Sequence, residues 1–217
     1  MDYKIALVYT GMPVKLVSMV EEELTRRFEG DKLTFLTLSD PSIIADAVKN
    51  GSPSPAACGR LLSMYAQALS SGADAVLNIC SSVGDVAGAA QDVMRLTGVP
   101  LIRIDDKMAQ EAVKQYRKIG VIATLSSTLE PTKRLIKACA EKAGREIELY
   151  SALADNAFGG GAEPLIEASK RLGEAECIVL AQGSMADSRE AVEKASGKPT
   201  FASPYWGALG VYEAVKA

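Results

Sequence analysis

The sequence predicts an α/β protein of two pseudo-symmetric halves, each a mainly parallel four-stranded sheet flanked by helices, with a site in the cleft between them. Three observations point there. Short β-rich runs alternate with longer stretches whose apolar residues fall at helical spacing, the pattern of βαβ units and parallel sheets. That pattern occurs twice along the 217 residues. Several of the strands run into turns rich in hydroxyls and glycine that open helices.

In chain order, strands are expected at Lys4 to Tyr9, Leu33 to Leu38, Ala75 to Ile79 and Leu101 to Ile104, then at Ile119 to Ala123, Ile147 to Tyr150, Cys177 to Leu180 and Thr200 to Phe201. Amphipathic helices are expected at Pro13 to Phe28, Ala56 to Ser70, Asp85 to Leu96, Lys107 to Tyr116, Ser127 to Ala143, Pro164 to Leu172, Ala186 to Ala195 and Trp206 to Val215.

The halves can be laid side by side. Lys4 to Thr10 resembles Lys118 to Thr124, each an apolar strand ending in threonine. Asp74 to Asp85 resembles Glu176 to Asp187 at an offset of 102 residues, so Gln182 takes the place of Cys80. Gly98-Val-Pro likewise matches Gly197-Lys-Pro, placing a fourth strand after the same helix. The competing explanation is that all parallel α/β units look alike. The boundary falls near Gln115 to Lys118, giving halves 1–116 and 117–217 without a Gly/Ser linker, so close packing is expected. The last helix, 205–217, is expected to cross back onto the first half. Ligands of open α/β sheets bind at the carboxyl ends of the strands, which here face the shared cleft.

Composition narrows the chemistry. A hydrophobic fraction of 48% and a charged fraction of 24% are ordinary for a globular chain. No apolar run approaches the ~20 residues that span a bilayer, and no leader pattern opens the sequence, so a cytoplasmic protein with no membrane partner is expected. The net charge of −3 and pI near 5.2 leave no basic footprint for nucleic acid, and Arg26-Arg27 is too small to make one. The four cysteines, 58, 80, 139 and 177, lack zinc spacing and read as free thiols. The count of zero histidines rules out Ser-His-Asp and Cys-His catalysis and the commonest metal ligand. No metal site and no cofactor are expected, and acid/base work falls to Cys, Asp, Glu, Lys or Tyr.

Cys80 stands at a strand-to-helix junction, before Ser81, Ser82 and Gly84. A thiol at a helix amino terminus meets the positive end of the dipole and unpaired N–H groups, which favour the thiolate. A small buried thiol closing a core strand is the alternative. Cys58, Cys139 and Cys177, inside expected helices or at a strand start, read as core thiols. Thr10-Gly11, Ser81-Ser82, Thr124 with Ser126, Ser127 and Thr128, and Gly183-Ser184 form four hydroxyl- and glycine-rich loops, each suited to a carboxylate. Taken one at a time, these residues are better explained as helix caps. The Gly159-Gly160-Gly161 run lacks the P-loop Lys-Ser/Thr and reads as a helix opening or lid, and Gly51 to Pro55 as a loop at the cleft mouth. Asp105-Asp106, ending the fourth strand, could supply a carboxylate, with an exposed helix cap as the simpler reading, and Tyr205-Trp206 read as packing residues.

At these residues the chain resembles the aspartate/glutamate racemase superfamily, which includes hydantoin and allantoin racemases, arylmalonate decarboxylase and maleate isomerase. Asn78-Ile79-Cys80-Ser81-Ser82 is similar to its first catalytic cysteine loop, Ile119 to Thr124 to the strand opening its second half, and Ile178 to Asp187 to its second cysteine loop. The resemblance implies two Rossmann-like halves and cofactor-independent chemistry beside a carboxylate of a small carboxylic or amino acid, with Cys80 as acid/base or nucleophile. It also places Gln182 where the second catalytic cysteine stands, and an amide is no base near pH 7. A one-cysteine decarboxylase, a cis-trans isomerase and a non-catalytic carboxylate sensor are the alternatives. A homodimer is the base-rate expectation.

Overall fold

The computed structural model describes residues 1–154, 157 and 160–216. Gly159 of the glycine run and Ala217, the end of the expected last helix, lie outside the described residues.

The first half runs β1 (Asp2–Tyr9), α1 (Val14–Arg27), β2 (Lys32–Ser39), α2 (Pro41–Asn50), α3 (Pro55–Ser70), β3 (Ala75–Ile79), α4 (Gly84–Leu96), β4 (Leu101–Arg103) and α5 (Asp106–Gln115). The second runs β5 (Lys118–Ala123), α6 (Ser126–Lys142), β6 (Glu148–Leu153), α7 (Glu163–Lys170), β7 (Cys177–Leu180), α8 (Arg189–Ser196), β8 (Thr200–Ala202) and α9 (Ser203–Lys216). Short 3-10 turns, Ser81–Val83 and Gly183–Ser188, follow β3 and β7. Every strand pairing is parallel, in the orders β2-β1-β3-β4 and β6-β5-β7-β8. Two four-stranded parallel sheets flanked by helices therefore replace one another along the chain, as the sequence led us to expect. No helix among the described residues is long and apolar enough to cross a membrane.

The sequence reading omitted α2, although its caps are conventional. Asp40 accepts from the Ser42 N–H at 3.0 Å, Pro41 opens the first turn, and Gly51 closes it at a φ of 77°. The expected helix from Ala186 begins later, at Arg189, because residues 183–188 form the 3-10 turn.

Each sheet is covered on both faces, and one helix on each comes from the other half. Met108, Ala109, Ala112 and Val113 of α5, which precedes the expected 116/117 boundary, pack into the core of the second sheet with Ile119, Val121 and Val179. Ala208 and Val211 of α9 pack in turn against Ile5, Leu7 and Ile102 of the first sheet. Thus the halves exchange their last helices. In both sheets the order reverses beside the first strand, so the switch points lie between β1 and β3 and between β5 and β7. Open α/β sheets bind ligands outside such points.

Candidate active site

Thr10 follows β1 and Cys80 follows β3; Thr124 follows β5 and Gln182 lies just beyond β7. The two switch points therefore deliver these four residues to one interface. A cleft with about 490 Å³ of space free of protein atoms, its open mouth included, lies there. Of the site residues read from the sequence, Thr10, Gly11, Cys80, Ser81, Ser82, Thr128, Gln182, Gly183 and Ser184 line it. Thr124, Ser126 and Ser127 do not, for separate reasons. Ser126 is exposed on the outside of α6. Ser127 is buried with its hydroxyl 3.5 Å from that of Ser82. Thr124 is used by Gln182: its N–H donates to Oε1 at 2.8 Å, and Nε2 donates to its hydroxyl at 2.6 Å. The Gln182 amide is thus held by Thr124 at both ends.

Sequence reading missed the apolar lining: Pro13, Leu16, Ile44, Ile79 and Leu125. Leu16 was legible as an apolar position of α1, but which wall it faces depends on the exchange of elements between halves. Ile44 belongs to the omitted α2. The expected cleft-mouth loop, Gly51 to Pro55, does not line the cleft; α2 takes that place. Cys80 is the one ionisable side chain lining the cleft among the described residues.

The expectation that the helix start would leave Cys80 as a thiolate needs correction. A 3-10 turn, not the helix itself, follows Cys80. Burial pushes the thiol above its ordinary value, while the Thr10 hydroxyl and the N–H groups of Val83 and Ser82 pull it down, and nearby Asp105 adds a smaller upward push. Desolvation is the largest of these effects, so the resting group carries its proton near neutral pH. Next to it, the Ser81 hydroxyl is buried, lines the cleft and has no hydrogen-bond partner among the described residues. An orphaned buried hydroxyl costs stability unless something binds it. The Ser82 hydroxyl is already satisfied, 2.7 Å from that of Thr128, and closes the floor between the halves.

Behind the thiol lies a polar layer. Asn78, buried on β3, accepts from the Tyr65 hydroxyl at 2.9 Å and donates to the Cys80 carbonyl at 3.0 Å. Arg103, at the end of β4, grips Asp105 through Nε and Nη2 at 3.0 and 3.1 Å, both residues nearly free of solvent. Asp105 is therefore half of a buried ion pair and not the exposed cap expected of it. A side-chain carbon at Gly84 would collide with the Arg103 guanidinium, so the glycine that opens α4 is what admits this pair beneath the cysteine turn. Elsewhere, Cys177 is buried while Cys58 and Cys139 are half-buried. Trp206 stacks near Phe201 and Tyr205, a packing role. Among the described residues no three His, Cys, Asp or Glu side chains cluster in a way that would hold a metal ion.

With this geometry in place, comparisons with known proteins become informative. A family model described as Asp/Glu/Hydantoin racemase matches residues 14–206. No curated protein matches by sequence. Among solved structures, a candidate Asp/Glu racemase from Yersinia pestis superposes with a TM-score of 0.73 at 17% identity, covering 99% of this chain and 100% of that one. A glutamate racemase isoform from Bacillus anthracis gives 0.71 at 13% identity over 99% and 82% of the two chains. An allantoin racemase from Klebsiella pneumoniae gives 0.64 at 15% over 99% and 87%. At such identities these structures establish the fold.

Proposed function

This chain belongs to the Asp/Glu/Hydantoin racemase family, and within it we propose a cofactor-independent enzyme acting at the carbon next to a carboxylate of a small carboxylic or amino acid, through Cys80. The observation that carries the proposal is the pairing, in one cleft, of the Cys80 thiol with the buried and unpartnered Ser81 hydroxyl. The Ser81 and Ser184 hydroxyls, both in the cleft lining, supply donors to the carboxylate. When a bond at the adjacent carbon breaks, its electron pair moves into that carboxylate, and these same donors meet the growing charge. Cys80 Sγ takes or returns the proton on one face.

What happens on the other face separates two versions of the chemistry. Racemisation by two thiols is not available to this sequence, since Gln182 holds the second place and its amide is engaged by Thr124. A second version, favoured by that engagement and by the protonated state of the resting thiol, needs one thiol only. Loss of CO₂ leaves the electron pair on the α-carbon, and the Cys80 proton is delivered there on a single face. A cis-trans isomerase also needs one thiol, as a nucleophile that adds and then leaves.

Proton NMR in D₂O, with the protein and Cys80→Ser incubated against amino acids, malonates, hydantoins and maleate, tests the proposal. Exchange, decarboxylation or isomerisation that disappears in the variant is expected, and the product names the version. Silence across the panel, together with saturable carboxylate binding unaffected by the substitution, would leave a binding protein in place of an enzyme.

A further inference from the structure

The side of the first sheet covered by α3 and α4 is apolar almost throughout: Ala6, Val8, Val76, Leu61, Met64, Ala87 and Met94 pack there. Tyr65 and Asn78 interrupt it with a hydroxyl and an amide, both residues at most 2% exposed. The Tyr65–Asn78 bond by itself adds little to stability, because replacing both members of a buried hydrogen-bonded pair by apolar groups of similar shape can be close to neutral. The repeat supplies an internal control. At the same offset that relates Cys80 to Gln182, Asn78 corresponds to Leu180, which is fully buried in the second sheet. Where Cys80 stands an amide lies two residues before it, and where Gln182 stands a leucine does.

We propose that Asn78, held by Tyr65, is a positioning residue for Cys80: its amide fixes the Cys80 carbonyl and so sets the 3-10 turn Ser81–Val83 that follows the thiol. The chain of contacts is Tyr65 hydroxyl to Asn78 Oδ1 at 2.9 Å, then Asn78 Nδ2 to the Cys80 oxygen at 3.0 Å. A second bond anchors the strand itself, as the Ile104 N–H donates to the Asn78 carbonyl at 3.0 Å. The 3-10 turn Ser81–Val83 begins with the peptide whose carbonyl Asn78 grips, and its N–H groups are among those that favour the thiolate. Released from Asn78, that peptide can rotate and the donors lose their aim. The charged and titratable groups around the sulfur are Asp105 and Arg103 behind it and Tyr65 on α3, with the Asp85–Arg134 pair farther out between α4 and α6. Of these, Tyr65 touches Asn78 directly.

The inference rests on Cys80 being the reactive thiol, and its test needs no substrate. The rate of iodoacetamide alkylation of Cys80 is followed against pH by peptide mass mapping, in the full chain, in Tyr65→Phe/Asn78→Leu and in Tyr65→Phe. The double variant leaves the Cys80 carbonyl without its side-chain donor and is expected to melt somewhat below the parent protein. Its alkylation midpoint is expected to move up by about one pH unit, with a roughly tenfold slower reaction at pH 8. Tyr65→Phe keeps the ring packing and should shift the midpoint in the same direction by less, which keeps the test open should the double variant fail to fold. Profiles that superimpose on the parent's would overturn the positioning role while leaving the proposed function intact. A parent Cys80 that reacts no faster than Cys139 and Cys177 would sink both.

Discussion

Cys80 is pulled in two directions, by an apolar enclosure that favours the thiol and by oriented donors that favour the thiolate. Enclosure prevails in the free protein. Its folded-state pKa lies above the unfolded one, so the folded chain holds the proton more tightly. The resulting contribution to stability is complete below the unfolded value and is lost as pH rises through the folded one. Two outcomes follow for the ligand-free protein: the alkylation rate of Cys80 should still be climbing beyond pH 9, and urea midpoints should fall between pH 8 and pH 10. Cys177, fully buried and pushed up to about 12, should stay unmodified at pH 8, and Cys139, half-buried beside a surface pocket and pushed up to about 11, should react only slowly there. A rate that levels off by pH 7 would show that the donors outweigh burial. Sequence alone placed Cys80 at a strand end, because an apolar run meets Ser-Ser-Val-Gly there. The sign of its shift was out of reach, since burial depends on how Leu16 of α1, Ile44 of α2 and Leu125 of the second half gather around one cleft. Asp105 was misread for the same reason: nothing local announces that Arg103 folds back onto it beneath Gly84.

Among the elements, the strands were the most legible, each a short β-rich run near its observed bounds, and α2 was the least. Its ten residues carry Ile43, Ile44, Ala45, Ala47 and Val48, and the further signal lay in the caps, Asp40-Pro41 before and Gly51 after. The last helix shows what a single small residue permits. Gly207 brings α9 against the end of β4, where an added side-chain carbon would sit 3.0 Å from both the Cα and the carbonyl oxygen of Ile104. Backbone cannot step aside as a flexible side chain can. Gly207→Ala should therefore destabilise the protein by about 1–3 kcal/mol, as overpacking does, despite the better helix propensity of alanine. Urea unfolding of the two proteins checks it, and an unchanged or raised midpoint would mean that α9 can shift along the sheet.

For the molecule as a whole, the repeat was readable from Lys4 to Thr10 against Lys118 to Thr124, and the shared cleft followed from the strand ends. The exchange of α5 was not. It turns on which sheet receives Met108 and Val113, and an amphipathic helix carries no address. The consequence is measurable. A fragment 1–116 would expose the α5 face that belongs to the second sheet and would lack α9 over Ile5, Leu7 and Ile102. It should bind a hydrophobic dye and melt without cooperativity, whereas the full chain should unfold in one transition; a fragment with a sharp melt would show that the halves are independent. The same exchange bears on how a small molecule reaches the sulfur. Polar links also cross the interface, with Arg134 on Asp85 at 2.6 Å and Lys15 on Asp187 at 2.9 Å. Swinging the halves apart like a jaw would drag two helices out of their beds at once. Traffic to Cys80 is expected instead through the open mouth of the cleft, whose lining includes Gly11, Pro13 and Ile44 of α2, while the walls behind stand still: a vault with a small door.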